Sequence, residues 1–244
     1  MAGNRLSPEA YVRQLRADGE RFAIAVGSAL EAPVAACPGW TAAELGYHLG
    51  EVQYFWGEVV RRGCLTDDDA KAIEPPARVP DDRIVAWFRE QFDSLCAALD
   101  GADPDVTCWS WSSEHRVGFV QRRMAQEAAV HRWDAEEAAG DPSPIDSALA
   151  IDGIDEFIEY MGGFDPALGG GDETVSLVAT DGPTWVLRAI EGNLVIDGGE
   201  PVAIATGTAS DLLLALWLRP VLERISITGD PEVLDRFLNR PNLD

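Results

Sequence analysis

Three histidines, His48, His115 and His131, occur among 244 residues, so their positions are few enough to weigh singly. His131 closes the run Glu127-Ala-Ala-Val-His131, and Asp134 follows one helical turn later. Helix positions four apart lie one above the other, so Glu127 and His131 are expected on one face. His48 lies between Leu45 and Val52 in a second run with helical spacing. A carboxylate and two imidazoles that point into an apolar interior need a compensating partner, because an isolated buried charge is costly. A divalent cation accepts all three. Two imidazoles and a carboxylate suit zinc with a fourth position for water or substrate; the same set suits ferrous iron, nickel or manganese. Asp134 is a candidate acceptor that orients the His131 ring. The plainer alternative is that Glu-x-x-x-His is common on helices and that a histidine on an apolar helix face is usually a hydrogen-bonded core residue.

Other reactive residues are less promising. His115 follows Ser112-Ser113-Glu114 and reads as a surface loop residue. Ser110 and Ser112 have no base at motif spacing. Cys37, Cys64, Cys96 and Cys108 form no Cys-x-x-Cys pair, so free thiols serving as small apolar side chains are expected. Trp40, Trp56, Trp109 and Trp133 are either pocket walls or core.

The elements that must position these residues follow from caps and periodicity. Ser7-Pro8 opens a first helix with Leu15, Phe22, Val26 and Leu30 at near-helical spacing. Thr41-Ala-Ala-Glu44 is a capping box, and Leu45, His48, Leu49, Val52, Phe55, Trp56 and Val59 line one face of the helix it starts. Gly63 and Asp67-Asp68-Asp69 are expected to end it, with 64–80 as a loop. A third helix is expected from Asp82 to about Leu99. A fourth runs from Val117 to Ala139, with Val117, Val120, Met124, Glu127, His131 and Asp134 as its inward face. Four such helices predict an up-and-down bundle. A fifth helix spans Ser147 to Met161. After Gly169-Gly170-Gly171 the pattern turns to strands at Thr174–Thr180, Thr184–Ile190, Asn193–Asp197, Val202–Thr206 and Arg224–Thr228. Glu191-Gly192 is the expected turn between the second and third. Helices are expected at Ala209–Leu218 and from Asp230-Pro231 to Leu238. The whole predicts an α+β chain of two domains: a helical bundle over 1–145, then a linking helix and a smaller α/β domain with a mostly antiparallel sheet over 146–244.

Composition narrows the partners. Hydrophobic residues make up 46% and charged residues 25%, as in a globular protein. The formal net charge of −23 disfavours phosphate backbones and anionic lipid surfaces, so neither nucleic acid nor membrane is expected as a partner. No apolar run approaches the roughly 20 residues that span a bilayer, and the first residues carry no signal-like apolar stretch. A cytoplasmic monomer is the expectation.

The run Pro38-Gly-Trp-Thr-Ala-Ala-Glu-Leu-Gly-Tyr-His48-Leu and the run Arg122-Arg-Met-Ala-Gln-Glu127-Ala-Ala-Val-His131-Arg-Trp-Asp134 resemble the two metal-ligand helices of the mycothiol-dependent maleylpyruvate isomerase family. The runs Ala150–Phe157 and Gly207–Arg219 are similar to later parts of the same family. The resemblance implies a DinB-like four-helix bundle followed by a sterol-carrier-like domain. It implies zinc on His48, Glu127 and His131, and mycothiol as a thiol cosubstrate. It also implies that Arg219, at the end of an apolar helix, pairs a substrate carboxylate; the competing reading is a solvated arginine at a helix end. The implied enzyme activates the thiol as a thiolate, either to isomerise an activated double bond or to transfer the thiol to a small electrophile. Two alternatives stay open: a non-catalytic protein that binds metal and a small ligand, with the apolar run Leu212–Leu218 lining a cavity, and an inactive homologue.

Overall fold

A computed structural model of the chain describes residues 5–163, 173–190, 193–196 and 198–239. It divides into two compact units, Leu6–Ser143 and Pro144–Asp244 with the N-terminal residues up to Arg5. The first unit is helical and the second is built on a sheet, so the chain is α+β.

The helices of the first unit start where side chains satisfy their free N–H groups. In α1 (Pro8–Ser28) Ser7 Oγ accepts from Ala10 N at 3.2 Å, with proline at the first position. In α2 (Ala42–Arg62) the capping box is complete: Thr41 Oγ1 accepts from Glu44 N at 3.3 Å, and Glu44 Oε2 from Thr41 N at 2.6 Å. Gly63, at φ 62°, ends α2 in the left-handed conformation. The stretch expected to be all loop contains a short helix, α3 (Asp67–Lys71), because Thr66 and Asp69 form a second capping box. Its acidic run starts a helix instead of only ending one, as anions favour the N-terminal dipole. A single 3-10 turn at Asp81–Arg83 leads into α4 (Ile84–Leu99).

The last helix of the unit, α5 (Val117–Ala138), departs from the expected one-sided pattern. Every residue from Phe119 to Glu136 is buried except Glu127. The expected inward face is enclosed, and so is the opposite one, where small Ala125, Ala128, Ala129 and Ala135 admit close neighbours. That opposite face carries Arg132, which is 1% exposed. Its Nε donates to Asp18 Oδ1 of α1 at 3.0 Å, and its Nη1 to Glu136 Oε2 at 2.8 Å and to Ser143 O and Oγ, each at 2.7 Å. Burial outweighs Arg132 at Asp18 and raises that carboxyl, whereas Ser143 and Arg132 overcome burial at Glu136 and lower it. Apolar packing fills the remaining interior. The Phe22 and Phe88 rings lie 4.8 Å apart, and Phe88 stacks on Phe92 at 5.8 Å. At Gly50 a Cβ would overlap the Trp87 ring, so glycine lets α2 and α4 approach at that point.

The second unit opens with α6 (Ser147–Glu156), capped by Asp146 Oδ1 accepting from Leu149 N at 3.1 Å and continued by a π turn at Phe157–Met161. Its five strands are β1 (Thr174–Ala179), β2 (Thr184–Ile190), β3 (Asn193–Ile196), β4 (Ala203–Gly207) and β5 (Ser226–Gly229), in the order β3-β2-β1-β4-β5. Three pairings are antiparallel; β1 and β4 are parallel, with Val175 opposite Ala203. Gly169–Gly171, Glu191-Gly192 and Asp197 lie outside the described residues. Helix α7 (Ala209–Leu216) stops two residues short of the expected Leu218. Arg219 N donates to Leu214 O and Leu218 N to Ala215 O, both at 2.9 Å, with Leu218 at φ 59°. This is a Schellman turn with leucine where glycine is usual. Helix α8 (Pro231–Leu238) completes the unit. Among the described residues no helix is long and apolar enough to cross a membrane.

Cys64, Cys96 and Cys108 are buried, and burial pushes Cys96 up to about 12 and Cys108 to about 11. Titration of the native protein with a thiol reagent at pH 7.5 is expected to modify Cys37 first and the other three only after denaturation. Removing the Arg132 charge leaves buried Asp18 without its paired guanidinium and Glu136 with Arg21 as its remaining cation. Arg132→Met is expected to lower unfolding free energy by about 3–5 kcal/mol, measured by urea denaturation.

Candidate metal centre

Helix α5 sets Glu127 and His131 a turn apart, and their side chains meet: His131 Nε2 lies 3.3 Å from Glu127 Oε2. On its other side, His131 Nδ1 lies 2.9 Å from Asp134 Oδ2, whose side chain is fully enclosed. Asp134 thus stands within hydrogen-bond distance of the ring it is expected to orient. From α2, the His48 ring stands edge-on to His131 with centroids 5.2 Å apart, and Trp40 lies 5.1 Å from His48 on another side. The three expected ligand residues therefore come together from two helices. His48 is half-buried, so its stripe on α2 forms the border between core and solvent.

The electrostatics constrain what the cluster can hold. A neutral imidazole has one N–H. If Nδ1–H donates to Asp134, the Nε2 lone pair faces the Glu127 carboxylate, and two acceptors oppose each other. Either a second ring proton or a cation shared by Nε2 and the carboxylate resolves this. Burial works against the charged ring, but the carboxylates of Asp134 and Glu127 outweigh it and raise the His131 pKa. Burial likewise works against the Glu127 charge. Arg123 first, then His131 and His48, overcome it and hold that carboxyl far below the usual range.

Arg123 is the participant that sequence reasoning missed. Its guanidinium, 4% exposed, lies 3.2 Å from Glu127 Oε1. The arginine stands four positions before the glutamate, and that i,i+4 spacing is the signal that could have found it. Among the described residues no group of three or more His, Cys, Asp or Glu side chains stands at cation-holding distances. The donor set itself fits a divalent cation: two rings, one carboxylate, an enclosed acceptor behind one ring, and a glutamate whose side chain is 24% exposed at an otherwise buried helix.

Beside His48 a cavity of about 290 Å³ opens, lined by Glu51, Val52, Phe55, Ile73 and Pro75 among others. Trp56, also in its wall, stacks on Trp109 at 5.9 Å; Trp133 is core, at 1% exposure. Ile73 and Pro75 come from the stretch read as featureless loop. His115 is exposed. Ser110 Oγ is 3.0 Å from Ser112 Oγ and donates to Glu114 O at 3.0 Å, so these hydroxyls brace a turn. Arg219 belongs to the second unit. It follows the Schellman turn, donates from Nη1 to Trp217 O at 2.8 Å and borders a separate cavity of about 440 Å³ with Leu218, Leu222 and Asp235. It is a half-buried turn residue, not the last residue of the helix.

Two solved structures resemble the whole chain. One is a crystal structure of the mycothiol-dependent maleylpyruvate isomerase, with a TM-score of 0.63 and 11% identity, covering 94% of this chain and 97% of that one. The other is a histidine-to-alanine mutant of the same enzyme, with a TM-score of 0.62 and the same identity and coverage. At that identity the likeness establishes the fold. No curated protein sequence matches the chain. Residues 4–136, more than half of the chain, match the mycothiol maleylpyruvate isomerase N-terminal domain family, and the chain belongs to that family.

Proposed function

We propose that this chain is a metal-dependent enzyme, zinc being the best fit, that activates mycothiol as a thiolate for reaction with a small electrophile. The observation that carries the reading is the convergence of His48, Glu127 and His131, with Asp134 fixing the ring between them. His48 Nε2 or Nδ1, His131 Nε2 and one Glu127 oxygen would be the protein ligands. When bound, zinc with an open position supplies Lewis acidity that makes a thiol a thiolate at neutral pH.

The chain's own residues do the rest. Asp134 accepts from Nδ1 of His131 and keeps Nε2 directed at Glu127. Arg123 engages the other Glu127 oxygen and restrains its rotation. Phe55 and Trp56 give the cavity beside His48 aromatic walls, and Trp109 packs against both rings. Cys96 and Cys108, held protonated by burial, do not compete as nucleophiles.

Two outcomes share this start. In isomerisation the sulfur adds to an activated double bond, rotation follows about the resulting single bond, and the thiol leaves unchanged. In S-transfer the new bond remains. Isomerisation of a dicarboxylate would call on Arg219 to pair a carboxylate; transfer to an uncharged electrophile would not. Action in the cytoplasm as a monomer is part of the reading; the net charge of −23 favours the monomer.

Metal analysis of purified protein is expected to give one zinc per chain, lost in the His48→Ala, His131→Ala double variant while the circular dichroism spectrum is retained. Asp134→Asn is expected to weaken zinc binding about 10- to 100-fold in a chelator competition. Turnover is expected only with mycothiol present. Full metal occupancy in the double variant contradicts the assignment, and tightly held metal without thiol-dependent turnover favours a non-catalytic binding protein.

A further inference from the structure

We infer that the cavity beside His48 is the electrophile subsite and that it takes an uncharged, largely apolar molecule in preference to a dicarboxylate. This rests on the thiol-activating reading above and adds the class of its second substrate.

The argument begins with charge. None of the described residues that line the cavity is lysine or arginine, and its one fully charged group is the carboxylate of Glu51. That negative charge extends beyond the cavity: burial first and Glu51 second raise the phenol of neighbouring Tyr47. Two arginines that touch neighbours of these residues are engaged elsewhere. Arg123, 4% exposed, pairs with Glu127, and Arg78 lies over the Tyr47 ring while pairing with Asp81 at 2.7 Å. A dianion entering the cavity would lose water from two carboxylates against the like charge of Glu51, with no lysine or arginine among the described wall residues to pair with it.

The walls fit the opposite kind of ligand. Val52, Phe55, Ile73 and Pro75 present apolar surface. A volume of about 290 Å³ lies at the small end of ligand sites, which suits an arene-sized molecule. His48 borders the same cavity, so an electrophilic carbon held there would be beside the cluster that activates the thiol. With an epoxide, sulfur forms a bond to carbon, the C–O bond breaks, its electron pair stays on oxygen, and that oxygen takes a proton from water. No oxidant or reductant is required.

The test separates the cavity from the thiol chemistry. Without thiol, the purified full chain is titrated calorimetrically with acetophenone and with maleate. Acetophenone is expected to bind at least about tenfold more tightly than maleate. Val52→Trp, which fills the cavity, is expected to abolish acetophenone binding. Glu51→Lys is expected to raise maleate affinity about tenfold; Glu51 is only half-buried, so this variant keeps the test decisive should Val52→Trp fail to fold. With mycothiol added, kcat/KM for styrene oxide is expected to exceed that for maleylpyruvate by about tenfold or more. Maleate binding equal to or tighter than acetophenone, binding of neither, or acetophenone binding that survives Val52→Trp in the folded protein each overturn the inference, as does faster turnover of maleylpyruvate. Selective acetophenone binding with no thiol-dependent turnover of either substrate upholds the cavity assignment and refutes the thiol-activating reading.

Discussion

A single imidazole between two carboxylates organises the first unit. His131 has Asp134 at 2.9 Å on one ring nitrogen and Glu127 at 3.3 Å on the other. One ring proton cannot satisfy both, so the arrangement requires extra positive charge, as a second proton or as a cation. Asp134 is enclosed and cannot turn away to water. Glu127, at the one partly open position of an otherwise enclosed stretch of helix, gives that charge a route in from solvent.

Holding that turn in place takes the rest of α5. Its far face carries Arg132, which ties Asp18 of α1, Glu136 and Ser143 into one buried group. A buried network of this kind contributes little net stability compared with apolar packing. It does fix the rotation and height of α5 against α1, since each hydrogen bond tolerates little displacement. Arg123 acts similarly on a smaller scale, at Glu127. The helix carries the Glu127–His131–Asp134 cluster on one side and the buried Arg132 network on the other.

The cavity beside His48 connects this cluster to function. In the proposed chemistry the cluster acts on the thiol whatever the second substrate is, so selectivity would fall to the walls, which are largely apolar with a single carboxylate. The family match says which thiol chemistry to expect, and the fold match at 11% identity says how the chain is built. Neither fixes the electrophile, because pocket lining varies within one fold.

Much of this was legible along the chain. Glu127, His131 and His48 could be picked out because helical spacing is a local property and because three histidines leave few combinations. The capping boxes, the change from helix to strand and the order of elements were local as well. What escaped depended on neighbours distant in sequence. Alanine-rich α5 looked one-sided, yet close approach of other helices buried it all round and gave Arg132 its partners. The acidic run after Gly63 became a helix start, and the leucine at 218 took a left-handed turn that its side chain disfavours, leaving Arg219 beyond the helix. Period and caps follow from the backbone of each segment, so a linear reading recovers them. Burial, ion pairing and the charge of a cavity arise only where segments meet, so only the packed chain could decide them.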